Sequence, residues 1–164
     1  MPVIVRHGVF PEDRKYLDDI CKHIPGLVEP GPGLYAEFCS DLSLLIMDDQ
    51  QGPLGFASAV DDALQFSRWV ASREPGGTSD YGDFLESYPA KMQIGVIPSA
   101  RSRGYGKRLA NAMVDILSQR GISGVHMVVD PQQRQSVNFC RVLGCKLIAW
   151  KEDRHYYGVG LSNS

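Results

Sequence analysis

The sequence predicts an α/β protein: a mixed, mostly antiparallel sheet of about seven strands, with helices on both faces. Three observations carry this expectation. Short apolar runs with strand character recur along the chain. Two of them, LSLLIM and GFASAV, bracket a polar turn and read as a hairpin. The later runs alternate with amphipathic segments, the order that makes neighbouring strands parallel.

In chain order, VIVRHG (Val3 to Gly8) is the first strand. PEDRKYLDDICKHI follows as a helix. Pro11 suits its start, Glu12 and Asp13 suit its positive end, and Tyr16, Leu17, Ile20 and Ile24 share one face. Pro25 and Gly26 stop it. VEPGPGLYAEF reads as an irregular loop or a short helix. The hairpin strands run from Leu42 to Met47 and from Gly55 to Val60, with Asp48 to Pro53 as the turn. Ala63 to Ser72 is a helix, a Pro-Gly-Gly break follows, and Tyr81 to Tyr88 reads as a second helix. Residues 61–90 thus form a helical insertion, the kind of segment in which a domain carries specificity. Met92 to Ile97 is a strand closed by Pro98. A long helix then runs from about Gly104 to Arg120, with Leu109, Met113, Ile116 and Leu117 as its apolar stripe and Gly121 as its cap. Val125 to Val129, a helix over QSVNFCRVLG, and the strands CKLIAW and HYYGVGL complete the chain.

At 164 residues the chain is long enough for one domain with a sizeable core, so residues 1–164 are expected to form a single domain. Apolar residues make up 43% and charged residues 22%, a folded rather than a disordered composition. The net charge of -2 provides no global attraction to nucleic acid or to an anionic membrane, and neither partner is expected. Cys21, Cys39, Cys140 and Cys145 form no CxxC pair, and no histidine stands at zinc spacing beside them. Free thiols in a reducing compartment and no metal site are expected. MPVIVRHGVFPEDR lacks the apolar core of a signal peptide, and no run reaches membrane-spanning length. The expected location is cytoplasmic or nucleocytoplasmic.

RSRGYG, Arg101 to Gly106, lies between a strand and a helix start. Backbone N–H groups there have no partners inside the helix, and the helix dipole favours an anion. Gly104 and Gly106 allow close approach, while Arg101 and Arg103 carry fork-shaped donors that suit phosphate. The stretch lacks the Gly-Lys-Ser/Thr of a Walker A loop and has one glycine too few for a dinucleotide fingerprint. Taken alone, it is equally a helix start with ordinary surface arginines.

MQIGVIPSARSRGYGKRLANAMVDIL resembles the central motif of the GCN5-related N-acetyltransferases, Val-x-Pro-x-x-Arg-x-x-Gly-x-Gly/Ala, here Val96, Pro98, Arg101, Gly104 and Gly106. IVRHGVFPEDRKYLDDI, LLIMDDQQGPLGFASAV and VHMVVDPQQRQSVNFCRVLGCKLI resemble other parts of the same family. More narrowly, SYPAKMQIGVIP, GISGVHMVVDP and FCRVLGC are similar to the acetyltransferase-like domain at the C-terminal end of eukaryotic O-GlcNAcases and to its free-standing bacterial relatives. The attached domain in that group is described as a pseudo-acetyltransferase.

The resemblance implies a fold with a splay between two parallel strands, Met92 to Ile97 and Val125 to Val129, and acetyl-CoA as cosubstrate. Ile94 and Val96 would meet the pantetheine arm through their backbone. Arg101, Ser102, Arg103, Gly104, Tyr105 and Gly106 would hold the pyrophosphate, with Lys107 at the rim, and Gln133 and Phe139 would complete the cofactor set. Gln133 falls where the family's asparagine stands. The usual tyrosine acid is replaced by Cys140, which is either a proton donor or core filler. The narrower group's aspartate in the central strand is Gly95 here. Asp130 is a candidate base or a turn cap before Pro131, and Glu86 is a candidate base folded over the cleft. Tyr156 and Tyr157 are phenols that could reach a bound thiol, and His126 more simply faces a helix.

The expected acceptor is a small-molecule amine or a lysine-bearing peptide. Phe66, Trp69, Tyr81, Phe84 and Tyr88 either line an acceptor groove or form the apolar faces of small helices. Asp61, Asp62, Glu74, Asp80, Asp83 and Glu86, against Arg68 and Arg73, suit a cationic acceptor or form a solvated face. A homodimer or fusion to a larger enzyme is the other partnership expected. The competing functional class is a catalytically weak module that binds cofactor or protein.

Overall fold

A computed structural model describes residues 2–73 and 82–161. Tyr81, Glu74 and Asp80, placed above in the insertion, lie outside the described residues.

The strands are β1 (Val3–His7), β2 (Ser43–Asp48), β3 (Gly52–Val60), β4 (Ala90–Val96), β5 (Gly124–Val129), β6 (Lys146–Lys151) and β7 (Arg154–Gly160). The helices are α1 (Arg14–Lys22), α2 (Pro32–Phe38), α3 (Ala63–Arg73), α4 (Tyr105–Gln119) and α5 (Arg134–Val142). The seven strands make one mixed sheet in the order β1-β2-β3-β4-β5-β7-β6, flanked by helices. The predicted fold class is the one observed. The chain divides into two compact units, Met1–Ala59 with Gln93–Asp115, and Val60–Met92 with Ile116–Ser164.

In the first unit, β1 and β2 pair antiparallel from Val3↔Asp48 to His7↔Leu44. The hairpin of β2 and β3 carries a bulge between Ile46 and Met47. That bulge admits Pro53 opposite Met47, so β3 begins at Gly52, earlier than the sequence predicts. Leu17 and Ile20 of α1 pack with Ala36, Leu45 and Phe56 into a buried core. The VEPGPGLYAEF segment resolves its ambiguity as a helix, α2, with Pro32 in its first turn.

The predicted acidic first turn of α1 is used differently. Asp13 is buried, and its carboxylate accepts two bonds from Arg6, at 2.6 and 3.0 Å, and the Val9 N–H at 2.7 Å. It therefore ties β1 to the helix start rather than serving the dipole.

In the second unit, β4 and β5 are parallel, with Ala90↔Val125 and Lys91↔His126 in register. β5 pairs antiparallel with β7, and β7 with β6. α3 forms as expected. The predicted Tyr81–Tyr88 helix is reduced to a single 3-10 turn, Asp83–Glu86. The Tyr88 ring instead lies against Gly124 and Gly158, where an added Cβ would come within 2.9 and 2.7 Å of it. α4 and α5 both close with a bond five residues back: Ile122 N–H to Leu117 O at 3.2 Å and Cys145 N–H to Cys140 O at 3.0 Å.

Candidate functional site

In the first unit, β4 ends at Val96, a short 3-10 turn covers Pro98–Ala100, and α4 begins at Tyr105. Between them, Arg101, Ser102, Arg103 and Gly104 are exposed. Two residues here have left-handed backbones, Ser102 at φ 66° and Gly104 at φ 79°. For Gly104 this conformation is free, and nothing lies within 4 Å of where a Cβ would be. For Ser102 it costs roughly 1–2 kcal/mol, strain of the kind that collects at functional sites. The first bond closing the helix is Arg108 N–H to Gly104 O at 3.0 Å. The N–H groups of Tyr105, Gly106 and Lys107 precede that bond and so face out of the helix end.

The strand beside this turn is set by β3. Ile97 N–H donates to Leu54 O at 2.9 Å, and a Cβ on Gly55 would sit 2.6 Å from Gly95 O. Backbone groups alternate sides along a strand. Those of Ile94 and Val96 therefore turn away from β3. Arg101 folds back so that its Nε donates to Val96 O at 3.4 Å. Arg103 acts electrostatically on Asp48 of the hairpin. Asp48 is held below the usual carboxylate range, first by the Gln50 and Gln51 N–H groups and to a smaller extent by Arg103. The six predicted loop residues, with Lys107, Ile94 and Val96, thus share one unit. An outward-facing helix start with strained backbone, two arginines and a lysine can hold a phosphorylated ligand.

Gly95 stands where a carboxylate would be expected from the narrower resemblance. A Cβ there would meet the Phe56 ring at 2.6 Å and Ile24 at 2.8 Å. Core packing requires the glycine.

The other predicted residues lie in the second unit. Asp130 accepts the Gln132 N–H at 2.9 Å through Oδ1, and its carbonyl accepts the Gln133 N–H at 2.9 Å, so it shapes its own turn. Gln133 is exposed and occupies the N-cap of α5 without a side-chain capping bond. Phe139 is half-buried on α5. Cys140 is fully buried, and burial, with Cys145 beside it, pushes its thiol up to about 12. Such a thiol keeps its proton near neutrality, which suits packing better than acid catalysis. Glu86 is exposed at the end of the 3-10 turn.

The described aromatic residues of the insertion pack against one another or against the neighbouring strands. Phe66 stacks on Trp69 at 6.1 Å, and Arg73 lies 4.6 Å over the Trp69 ring. Phe84 meets His126 edge-on and Tyr156 at a tilt, both at 5.1 Å. Tyr156 and Tyr157 are buried. His126 is fully buried, with Nδ1 2.9 Å from Tyr88 O. Desolvation is the main cause holding its pKa at about 4, so it is neutral at physiological pH. Asp61, Asp62, Asp83 and Glu86 are exposed.

Two residues escaped the sequence reading. Lys91 on β4 is buried, 5.9 Å over the Phe66 ring, and burial lowers its pKa to about 8. Gln93 donates from Nε2 to Val28 O at 2.8 Å and Pro30 O at 3.4 Å. Their signal was the alternation in AKMQIGV, which places Lys91, Gln93 and Gly95 on one face. Among the described residues no three His, Cys, Asp or Glu side chains gather to hold a metal. No described helix is long and apolar enough to cross a membrane.

A central strand feeding a glycine-containing, arginine-flanked helix start, in a seven-strand mixed sheet, defines an α/β protein whose helix start suits an anion. The acetyltransferase (GNAT) family model matches residues 24–145, and the chain belongs to that family. Mycothiol acetyltransferase of Renibacterium salmoninarum is 26% identical over 125 residues, 76% of this chain. The chain spans 35% of that relative's length. Among solved structures, a protein named SsHAT superposes with a TM-score of 0.79 at 21% identity, covering 98% of each chain. YncA of Salmonella typhimurium, a putative acetyltransferase determined with its cofactor acetyl-CoA, has a TM-score of 0.69 at 15% identity, covering 99% of this chain and 95% of its own. NAA60 of Arabidopsis thaliana, in complex with acetyl-CoA, has a TM-score of 0.67 at 16% identity, covering 97% and 98%.

Proposed function

We propose that this chain binds acetyl-CoA and transfers its acetyl group to a primary amine, of a small molecule or a lysine-bearing peptide, by direct attack on the thioester. The observation that carries this reading is the turn from Arg101 to Lys107, exposed over Arg101 to Gly104. Its left-handed Ser102 and Gly104 open α4 beside a strand edge from which Ile94 and Val96 turn away from β3. The residues fit the cosubstrate. A diphosphate takes the Tyr105, Gly106 and Lys107 N–H groups with Arg101 and Arg103 around it. An extended arm with two amides takes the backbone of Ile94 and Val96. Acetyl-CoA supplies an activated acyl carbon, and the chain orients it against the amine.

Family membership and the acetyl-CoA of related structures support the cosubstrate. The acceptor is named only by class. The family match lends no support to the alternative expected from the sequence, a cofactor-binding module with weak turnover.

Calorimetric titration with acetyl-CoA and with CoA tests the proposal on wild-type protein, Arg101→Ala and Gly104→Glu. Gly104→Glu puts a carboxylate side chain on the turn; nothing lies within 4 Å of where its Cβ would be, and the residue bears the strain of a non-glycine backbone at φ 79°. Binding by the wild type that weakens in both variants, with the fold retained, is the expected result. Wild-type binding without thiol release across a panel of amines would favour the module. Equal affinity in all three proteins would refute the cradle.

A further inference from the structure

Gln93 lies on β4 one residue before Ile94, with its side chain on the face that Gly95 shares. Its Nε2 donates to the Val28 and Pro30 carbonyls, at 2.8 and 3.4 Å. Both partners are oxygens that only accept, so the carboxamide cannot be turned end for end. Oε1 is thereby fixed on the other side, where it is buried with no donor among the described residues.

Fastening the segment between α1 and α2 requires only the nitrogen. A buried oxygen left without a donor is destabilising, and native proteins rarely keep one without use. Gln93 is also the one polar side chain from 93 to 96. At Gly95 the Phe56 ring and Ile24 occupy the space a second side chain would need.

The geometry points to Gln93 as the residue that positions the acceptor amine, its Oε1 taking an N–H of the incoming amine while Nε2 stays on the Val28 and Pro30 carbonyls. The inference rests on the acetyl-transfer reading above, in which the neighbouring Ile94 and Val96 hold the cosubstrate. A primary amine attacks through its lone pair. An oxygen that holds one N–H aims that lone pair, and the bond strengthens as nitrogen gains positive charge in the transition state. A new C–N bond forms, the thioester C–S bond breaks, and sulfur leaves with the electron pair. The proton lost by nitrogen passes to solvent and on to the thiolate. A carboxamide takes no proton, so Gln93 positions and does not act as base.

Three variants separate the two ends of the side chain. Gln93→Lys keeps a donor for Val28 and Pro30 and removes the oxygen. Gln93→Glu keeps an oxygen and removes the donor, and Gln93→Met removes both. The probe is n-propylamine. In the full wild-type chain with CoA bound, the 13C signal of the Gln93 carboxamide is followed while the amine is titrated. A saturable shift is expected. In thiol-release assays the KM for n-propylamine should rise about tenfold in the Lys and Met variants and less than about threefold in Glu. The KM for acetyl-CoA should stay unchanged in all three. A carboxamide signal indifferent to the amine overturns the inference, as does an unchanged amine KM in Gln93→Met. Acetyl-CoA calorimetry on the same samples keeps the two readings apart. Wild-type protein that binds acetyl-CoA while Gln93 stays silent refutes the inference alone, whereas protein that binds no acetyl-CoA removes both.

Discussion

Replacing Lys91 with methionine should stabilise the protein. Lys91 is 6% exposed, and its pKa falls from 10.5 to about 8. Burial is the larger cause and Arg154 the smaller. A lysine whose folded pKa is depressed binds its proton less readily in the native state than in the unfolded one. The native state is therefore penalised wherever the unfolded chain is protonated, by about 3 kcal/mol below pH 8 at ~1.4 kcal/mol per pH unit. The penalty shrinks as pH rises from about 8 to 10.5 and is gone above that. Methionine keeps the stem's volume and a favourable contact with the Phe66 ring. For a chain of this size the gain corresponds to a rise in Tm of roughly 6–12 °C at pH 7. Urea unfolding of both proteins at pH 7 and near pH 10 measures it. A variant no more stable than wild type at pH 7, or an advantage that does not shrink at the higher pH, would refute the reasoning.

Gly95→Ala should lose roughly 1–3 kcal/mol through overpacking against Phe56 and Ile24, and a denaturation midpoint equal to wild type would show that space exists there. Cys140→Ser should keep acetyl-CoA affinity while burying a hydroxyl at a cost of roughly 1–3 kcal/mol. Its pH profile of turnover should match wild type, and a displaced alkaline limb would make Cys140 the acid. Asp13→Asn should cost about 1–2 kcal/mol at pH 7, allowing for the exposure of Arg6. Arg6 holds the Asp13 carboxyl below its ordinary range, so this stabilisation is present above about pH 4 and is lost as pH falls through the lower folded value. The gap between the two proteins should accordingly close in acid unfolding experiments.

Most elements were legible because their signals are local. The hairpin follows from two apolar runs around a polar turn, and the helix ends at Gly121 and Gly144 follow from residues next to them in the chain. The start of β3 was misread because Pro53 looks like a turn residue until a bulge gives it a place in the sheet. The predicted second helix of the insertion failed for a related reason. Its last aromatic, Tyr88, is held against two glycines distant in sequence, and packing of that kind overrides local helical pattern.

By itself the sequence determined the class of fold, the anion-suited turn and the resemblance to an acetyltransferase. Those depend on residue types at fixed short spacings. The tertiary structure decided what became of the side chains at single positions. It filled the space beside Gly95, buried Lys91 and His126, sealed the Cys140 thiol in the core and turned Gln93 onto the Val28 and Pro30 carbonyls. Burial and hydrogen-bond partners come from segments far apart along the chain, and they set both the ionisation and the orientation on which the chemistry of a site depends.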